Sequence, residues 1–141
     1  MSEISITEQA LRDAGWRERV NQGFSALVGP IWSRHDEGAW TLGILVGDHH
    51  ANVMGLAHGG LIATLMDQVV SVAAWEALSR MPCVTVQLDT HYLAAAQIGQ
   101  FLEARAAVQR VTKSLVFVRG EIYAGTNLIA SGQAVLKQVR R

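Results

Sequence analysis

The stretch HGGLIATLMDQVV, residues 58–70, opens the longest apolar helical pattern in the chain. Its periodicity predicts a helix from Gly59 to Arg80. Pro82 then ends the pattern, because proline cannot continue a helix beyond its first turn. Asp67 stands in the middle of the stretch, where a carboxylate would be costly at the centre of a bilayer. We therefore expect a helix that is buried in protein rather than in lipid.

On both sides of this helix the pattern changes to that of strands. Two short runs before it, residues 31–35 and 40–46, flank a turn. After it, apolar and polar residues alternate in runs separated by short breaks, which predicts antiparallel hairpins. These runs are 84–89, 102–108, 115–124 and 128–139. A long apolar helix with one curled antiparallel sheet is an α+β fold, and a central helix wrapped by such a sheet is the hotdog arrangement.

The chain length and its first residues predict the domain organisation. A length of 141 residues suits one domain with one core. We expect a single domain over residues 1–141, with the hotdog core at 30–139 and a helical segment at 1–29. Within that segment the apolar spacing predicts an amphipathic helix over residues 7–22, which begins near a threonine that can cap it.

The charge balance and the cysteine content exclude several functional classes. There are 12 basic and 12 acidic residues. The chain thus lacks the basic surplus that would indicate a nucleic-acid or membrane-surface partner. Cys83 is the only cysteine, which excludes an internal disulfide and fits a reducing compartment. The first residues are acidic and lack an apolar run, so we expect no secretory signal and a cytoplasmic protein.

Asp67 is the residue of the central helix that most needs an explanation. A buried charge must be paired or hydrogen-bonded, and no basic residue lies within one helical turn of Asp67. One interpretation is structural, with the carboxylate capping a nearby group or pairing with an arginine distant in sequence. The other is chemical, because a lone acid inside an apolar helix is a candidate base or nucleophile.

The residues His58, Gly59 and Gly60 indicate what the start of the helix does. The first backbone N–H groups of a helix have no partner within it and carry partial positive charge. Glycine at these positions would let a substrate carbonyl approach the N–H groups closely, as in an oxyanion hole. The alternative interpretation is that the two glycines only allow tight packing of the helix.

The spacing between these two features predicts a dimer. Asp67 lies eight residues after Gly59, which is roughly 12 Å along a helix. A base and an oxyanion donor that serve one carbonyl must each lie about 3 Å from the reacting atoms. One helix cannot meet that condition, whereas two antiparallel copies across a two-fold axis can. If both features belong to one site, we expect an obligate dimer with shared sites.

The wider motif resembles a known family. Asn52-Val-Met-Gly55-Leu-Ala-His58-Gly59-Gly60, followed by Ala63-Thr64-Leu65-Met66-Asp67, resembles the hotdog-fold acyl-CoA thioesterases of the 4-hydroxybenzoyl-CoA thioesterase superfamily. More narrowly, it is similar to the PaaI-type and human thioesterase superfamily member 2-type branch. The resemblance covers roughly residues 30–138. It implies hydrolysis of an acyl-CoA without a metal or a redox cofactor.

The resemblance also implies roles for individual residues. Asp67 matches the acid that activates water or attacks the thioester, and Gly59 matches the residue whose N–H holds the thioester oxygen. Asn52 matches a side chain near the thioester, and His58 matches a histidine that organises the loop. Thr85 falls where the family has a Ser or Thr that helps to orient water. In that family the sites are shared between subunits, and dimers commonly pair into tetramers.

Contacts with the CoA part of the substrate are less well defined by the sequence. Gly60 would lie beside Gly59 against the substrate. The family usually meets the CoA phosphates near the hairpin between late strands, which here contains Arg110, Lys113 and Ser114. The alternative is that these three are ordinary solvated turn residues. The chain has Thr112 in that turn, where many relatives have glycine.

Other chemistries remain less consistent with the sequence. The spacing of His49, His50 and His58 matches no common zinc pattern. A Ser-His-Asp triad would need His58 and Asp67 together, although helix geometry separates them. Two rivals remain open: a hotdog dehydratase or hydratase that uses His58, and a non-catalytic acyl-CoA binding protein.

Overall fold

The computed structural model describes residues 6–19 and 21–139. The helices within them are α1 (Glu8–Asp13), α2 (Phe24–Val28) and α3 (Gly59–Ala77). The strands are β1 (Arg17–Glu18), β2 (Trp32–Asp36), β3 (Ala39–Leu45), β4 (Cys83–Tyr92), β5 (Phe101–Val111), β6 (Leu115–Ala124) and β7 (Asn127–Gln138). A short 3₁₀ turn, Asp48–His50, lies between β3 and α3.

The strands form one antiparallel sheet around the long helix. Their order is β1-β2-β3-β5-β6-β7-β4, and every neighbouring pair is antiparallel. Helix α3 packs on the inner face, against β3, β4, β5, β6 and β7. Its buried side chains are Leu61, Ile62, Leu65, Met66, Val69, Val70 and Ala74. The predicted α+β hotdog fold is therefore confirmed.

Two glycines of the sheet let α3 approach closely. A Cβ added at Gly120 on β6 would lie 2.5 Å from the Met66 sulfur, and one at Gly132 on β7 would lie 3.1 Å from it. Glycine at these positions therefore makes room for the methionine, which is fully buried. Because Met66 precedes Asp67, this contact helps to set the position of the Asp67 carboxylate relative to the strands.

The predicted helix over residues 7–22 is wrong beyond its first turns. Thr7 caps α1 by accepting the Ala10 N–H, as a threonine at a helix start should. The helix ends at Asp13 because Gly15 adopts a φ of +92°. Trp16 is then buried edge-on against Phe101, and β1 pairs with β2. Residue 20 lies outside the described part of the chain.

The end of α3 also differs from the prediction. The helix stops at Ala77 instead of Arg80, because Ser79 and Arg80 take the left-handed conformation and the Arg80 N–H turns back to the Trp75 carbonyl. No helix among residues 6–19 and 21–139 combines the length and apolarity needed to cross a bilayer.

One predicted hairpin is absent. β5, β6 and β7 follow one another as hairpins, but β4 pairs with β7 rather than with β5. The segment 93–100 instead crosses past the start of α3, where the Ala57 N–H binds the Ala96 carbonyl. Among the described strands, β7 is the only neighbour of β4. The other side of β4 is therefore a free edge of the sheet.

Candidate active site

Asp67 lies on the side of α3 that faces β4. It is half-buried, and the Thr85 hydroxyl donates a 2.6 Å hydrogen bond to its Oδ1. None of the ion pairs among the described residues involves Asp67. The interpretation in which Asp67 pairs with a distant arginine therefore has no support in these contacts, and one carboxylate oxygen stays available for another partner.

A β-bulge gives Thr85 this orientation. The register between β4 and β7 shifts between Thr85 and Gln87, so that Val86 has no direct partner. Before the bulge Thr85 pairs with the buried Leu136, whereas beyond it the even-numbered residues of β4 pair with buried residues of β7. The bulge thus puts Thr85 on the inner face together with Leu88, Thr90 and Tyr92. The regular alternation predicted over residues 84–89 would instead place Thr85 and Leu88 on opposite faces, which is wrong.

Cys83 shares that face but is unsuited to nucleophilic chemistry. Burial, with a smaller contribution from the Asp67 carboxylate, raises the pKa of its thiol. A thiol with a raised pKa stays protonated at neutral pH, and the thiolate is the nucleophilic form. Asp67 and Thr85 therefore remain the candidates for chemistry at this end of β4.

At the start of α3, the His58 side chain acts as the helix cap. Its Nδ1 accepts the Gly60 N–H at 2.8 Å, and its carbonyl accepts the Leu61 N–H at 2.9 Å. A Cβ at Gly60 would lie 3.0 Å from Nδ1, so glycine allows this close contact. The Gly59 N–H has no acceptor among the described residues and remains the donor at the helix N-terminus.

Asn52 lies in the loop before α3 and organises it. Its Oδ1 accepts the N–H groups of Met54 at 2.9 Å and Leu56 at 3.1 Å. The Asn52 carbonyl oxygen is therefore occupied, and only its amide N–H groups are left to meet a substrate. The neighbouring Val53 and Met54 side chains project into solvent in the single chain.

Sequence reasoning missed a buried histidine in the same loop. His50 was considered only as a metal ligand, but its Nδ1 accepts the Gly47 N–H and its Nε2 contacts the Val28 carbonyl. Both ring nitrogens are therefore engaged by the backbone. Burial is the main cause that lowers its pKa. His50 thus ties α2 to the loop, and no signal in the sequence distinguishes it from its neighbour His49.

Sequence reasoning also missed Tyr92, at the far end of β4. Its hydroxyl donates a 3.0 Å hydrogen bond to the Gly59 carbonyl. The two residues are distant in sequence, so only the tertiary structure shows the contact. An aromatic residue at the end of a strand carried no signal of this role.

The hairpin between β5 and β6 carries the predicted CoA-contacting residues. Arg110, Lys113 and Ser114 are all exposed there, and the Thr112 hydroxyl closes the turn with hydrogen bonds to the Leu115 backbone. Thr85, Leu136 and Val116 align across three neighbouring strands. Two strand spacings are about 10 Å, so this hairpin lies at the same end of the sheet as Thr85.

Within one chain these parts do not form one site. Asp67 and Thr85 meet in the middle of α3, while Gly59, His58 and Tyr92 meet at its start. The roughly 12 Å of helix between Asp67 and Gly59 remain. These residues thus form two separate groups, which we call half-sites: Asp67 with Thr85, and Gly59 with His58 and Tyr92.

Relatives in sequence carry enzyme names, among them an esterase and an acyl-coenzyme A thioesterase. The family model for the thioesterase superfamily matches residues 54–130. A Pseudomonas aeruginosa protein named as an esterase is 31% identical over 111 residues, which cover 77% of this chain and 83% of that protein. Acyl-coenzyme A thioesterase 13 of Mus musculus is 32% identical over 90 residues, which cover 62% of this chain and 64% of the mouse protein.

Solved structures with the same architecture include a zebrafish and a bacterial protein. Zebrafish thioesterase superfamily member 2 has a TM-score of 0.75 and 26% identity, covering 85% of this chain and 89% of that chain. A Bacillus halodurans protein solved with CoA has a TM-score of 0.66 and 25% identity, covering 70% of each chain. The architecture described above is therefore shared with both proteins.

Proposed function

Because this chain belongs to the thioesterase superfamily, we propose that it hydrolyses acyl-CoA thioesters at a site shared between two subunits. The chain is a thioester hydrolase, as its family and its named relatives indicate. The choice of a CoA ester draws on the name of the mouse relative and on the CoA in the Bacillus halodurans structure. The proposed reaction uses no metal and no redox cofactor.

The hydrogen bond from Thr85 to Asp67 is the observation that carries this proposal. It holds one carboxylate oxygen at 2.6 Å and leaves the other to accept a proton from water. A half-buried acid with no ion pair among the described residues, next to an aligned hydroxyl, is the arrangement expected of a general base. The Gly59 N–H, at the positive end of the α3 dipole, supplies the matching oxyanion donor.

In the proposed reaction a water oxygen bonds to the thioester carbonyl carbon while Asp67 takes the water proton. The carbonyl oxygen becomes an oxyanion that the Gly59 N–H stabilises. The C–S bond then breaks, the proton passes to the departing sulfur, and the products are a carboxylic acid and CoA. An alternative route has Asp67 attack first and form an anhydride that water cleaves. Oxygen-18 that enters Asp67 during single turnovers in labelled water would indicate this second route.

The exposed edge of β4 supports the dimer that this reaction needs. Val84 and Val86 are 53% and 60% exposed in the single chain, on an edge strand whose N–H and C=O groups have no second partner among the described strands. We propose that β4 pairs with β4 of a second copy, so that Gly59 of one subunit faces Asp67 of the other. A tetramer of two such dimers is the assembly that the family resemblance implies.

We further propose that the β5–β6 hairpin meets the CoA phosphates. Arg110 and Lys113 are exposed and take part in none of the ion pairs of the described residues, so their charges are available to an anion. The Ser114 hydroxyl adds a donor beside them. The amide of Asn52 and the open side of Gly60 would contact the substrate nearer the thioester.

The hydratase alternative receives no support from the loop geometry. His58 uses Nδ1 to hold the Gly60 N–H, so the imidazole serves as the helix cap and only Nε2 is left for a proton transfer. We therefore keep thioester hydrolysis as the single proposed function.

The first experiment measures thiol release from short, long and aryl acyl-CoAs by the wild type and by Asp67→Asn. We expect the variant to lose at least about a hundredfold in kcat, because it keeps its shape but loses the base. Glu76→Gln on the same helix is the control for a lost charge and should keep its activity. An active Asp67→Asn variant would exclude this mechanism, and binding of esters without release by the wild type would indicate a binding protein.

A subunit-mixing experiment tests the shared site. Gly59→Pro removes the N–H at the first helical position, where proline is tolerated. Alone, Asp67→Asn and Gly59→Pro should both be inactive. In a statistical mixture half of the dimers are mixed and each has one intact site, so about a quarter of the wild-type activity should return. A mixture that stays inactive although mixed dimers form would show that each site belongs to one subunit.

A further inference from the structure

Tyr92, on strand β4, contacts the backbone at the first residue of helix α3. It lies at the end of β4, its side chain is 54% exposed, and its hydroxyl donates to the Gly59 carbonyl at 3.0 Å. The ring also lies beside Gly59, since a Cβ built there would be 3.5 Å from the ring edge. The side chain therefore contacts the proposed oxyanion donor while keeping one side open.

The same peptide group is held from its other end by His58. The Gly59 carbonyl and the Gly60 N–H belong to one planar peptide unit. Tyr92 binds the oxygen of this unit and His58 Nδ1 accepts its N–H at 2.8 Å. We call this pair of contacts the peptide clamp. The Thr64 hydroxyl adds a third contact to the next carbonyl, that of Gly60, at 2.8 Å.

Two consecutive glycines need such support. Glycine has no side chain to restrict its backbone, so it has far more accessible conformations than other residues. The Gly59–Gly60 unit therefore depends on contacts from other residues to hold its orientation. An oxyanion donor stabilises developing charge only if its N–H is already aimed before the reaction. Fixing the plane that follows Gly59 restricts the rotation that would turn the Gly59 N–H away.

We propose that Tyr92 is a positioning residue that aims the Gly59 N–H through the peptide clamp, an inference that rests on the proposed function. Tyr92 does not react with the substrate. The bulge at Val86 makes the arrangement possible, because Thr85 and Tyr92 are seven residues apart and would otherwise face opposite sides of the sheet. One strand thus supports the base of one half-site and the oxyanion donor of the other.

The kinetic test compares Tyr92→Phe with Tyr123→Phe. The chain has two tyrosines, and the Tyr123 hydroxyl also makes a hydrogen bond, to Glu121, on the face of β6 opposite to the buried Ile122. Removing the Tyr92 hydroxyl should lower kcat about three- to tenfold with KM unchanged, whereas Tyr123→Phe should match the wild type. A Tyr92→Phe enzyme with unchanged kcat, with a raised KM alone, or with activity lost only through dissociation of the dimer would overturn the proposal.

A structural measurement tests the clamp without using activity. Amide hydrogen exchange of Gly60 should be faster in Tyr92→Phe than in the wild type or in Tyr123→Phe, because its peptide unit has lost one of its two side-chain contacts. Unchanged exchange would overturn the proposal even if kcat falls. If the wild type hydrolyses no thioester, or Asp67→Asn stays active, the proposed function fails, while the exchange measurement still decides on the clamp.

Discussion

β6 and β4 are both ten residues long, but they serve different purposes. β6 lies inside the sheet and alternates regularly, with Val116, Val118, Ile122 and Ala124 buried. β4 lies at the edge, carries a bulge and contacts both half-sites through side-chain hydroxyls. A regular strand places only residues an even number of positions apart on one face. A bulged strand can also place residues an odd number of positions apart, such as Thr85 and Tyr92, on the same face.

The same contrast continues beyond the two strands. The loop 47–58 and the first turn of α3 are organised by side-chain contacts to the backbone, through His50, Asn52 and His58. We call β4, this loop and that first turn the polar seam. Around β6 the contacts are apolar, and the buried cluster is continuous from α3 to the sheet. Substitutions should therefore affect stability in one region and catalysis in the other.

The largest effect on stability is expected in β6. Ile122→Ala removes a fully buried side chain from the core and should cost about 2–5 kcal/mol of unfolding free energy. Urea unfolding at fixed protein concentration measures this loss. The kcat of the folded fraction should stay within about twofold of the wild type, because Ile122 lies outside the polar seam. A loss of kcat in fully folded enzyme would break the contrast between the regions.

Thr85→Val should show the opposite behaviour. The substitution keeps the shape and removes the hydroxyl that holds Asp67, so we expect kcat to fall about tenfold, equivalent to roughly 1.4 kcal/mol. Stability should change little because the side chain is exposed in the single chain. Thr90→Val, on the same strand and face, is the control for losing a hydroxyl. Equal kcat values for both variants would contradict a specific role for Thr85.

A smaller effect is expected from the pH dependence of stability. The pKa of His50 is lowered in the folded state, so below its ordinary value of 6.5 the unfolded chain binds the proton more strongly. The contribution of neutral His50 is complete above pH 6.5 and decreases as the pH falls toward the lowered value. Thermal unfolding from pH 7.5 to 5 should show a decline in Tm that is shallower in His50→Gln.

Thr90→Val, which alters no titratable group, provides a comparison for that measurement. It should leave the slope of Tm against pH as it is in the wild type. If the His50→Gln and wild-type slopes were the same, the contact between His50 and α2 would not contribute to the pH dependence of stability. His50 would then not belong to the polar seam, although its hydrogen bonds place it there.

The sequence pattern was sufficient where the periodicity is regular. The long helix, the β6 and β7 strands and the overall fold class follow from the spacing of apolar residues, because one buried face imposes one period. The family resemblance, rather than the pattern, indicated Thr85 as a residue that helps to orient water, and its side chain lies against that of Asp67. The pattern fails in β4, because a bulge shifts the faces without leaving a distinct residue type behind.

Pairing between distant strands could not be predicted in the same way. A short break after β4 suggested a hairpin with β5, but the chain leaves the edge and passes the start of α3 instead. Which strand becomes a neighbour depends on the closure of the whole sheet around the helix, and local residue types do not encode it. The N-terminal helix was overestimated for a local reason, since Gly15 takes a left-handed conformation.

The sequence by itself determined the α+β class, the buried central helix, the lone carboxylate at Asp67 and the glycine-rich helix start. These are local properties, set by periodicity and by side-chain chemistry. Only the tertiary structure decided that Tyr92 reaches Gly59, that His50 is buried and that Thr85 and Tyr92 share a face. Those contacts join residues far apart in the chain, so they exist only once the sheet has closed around α3.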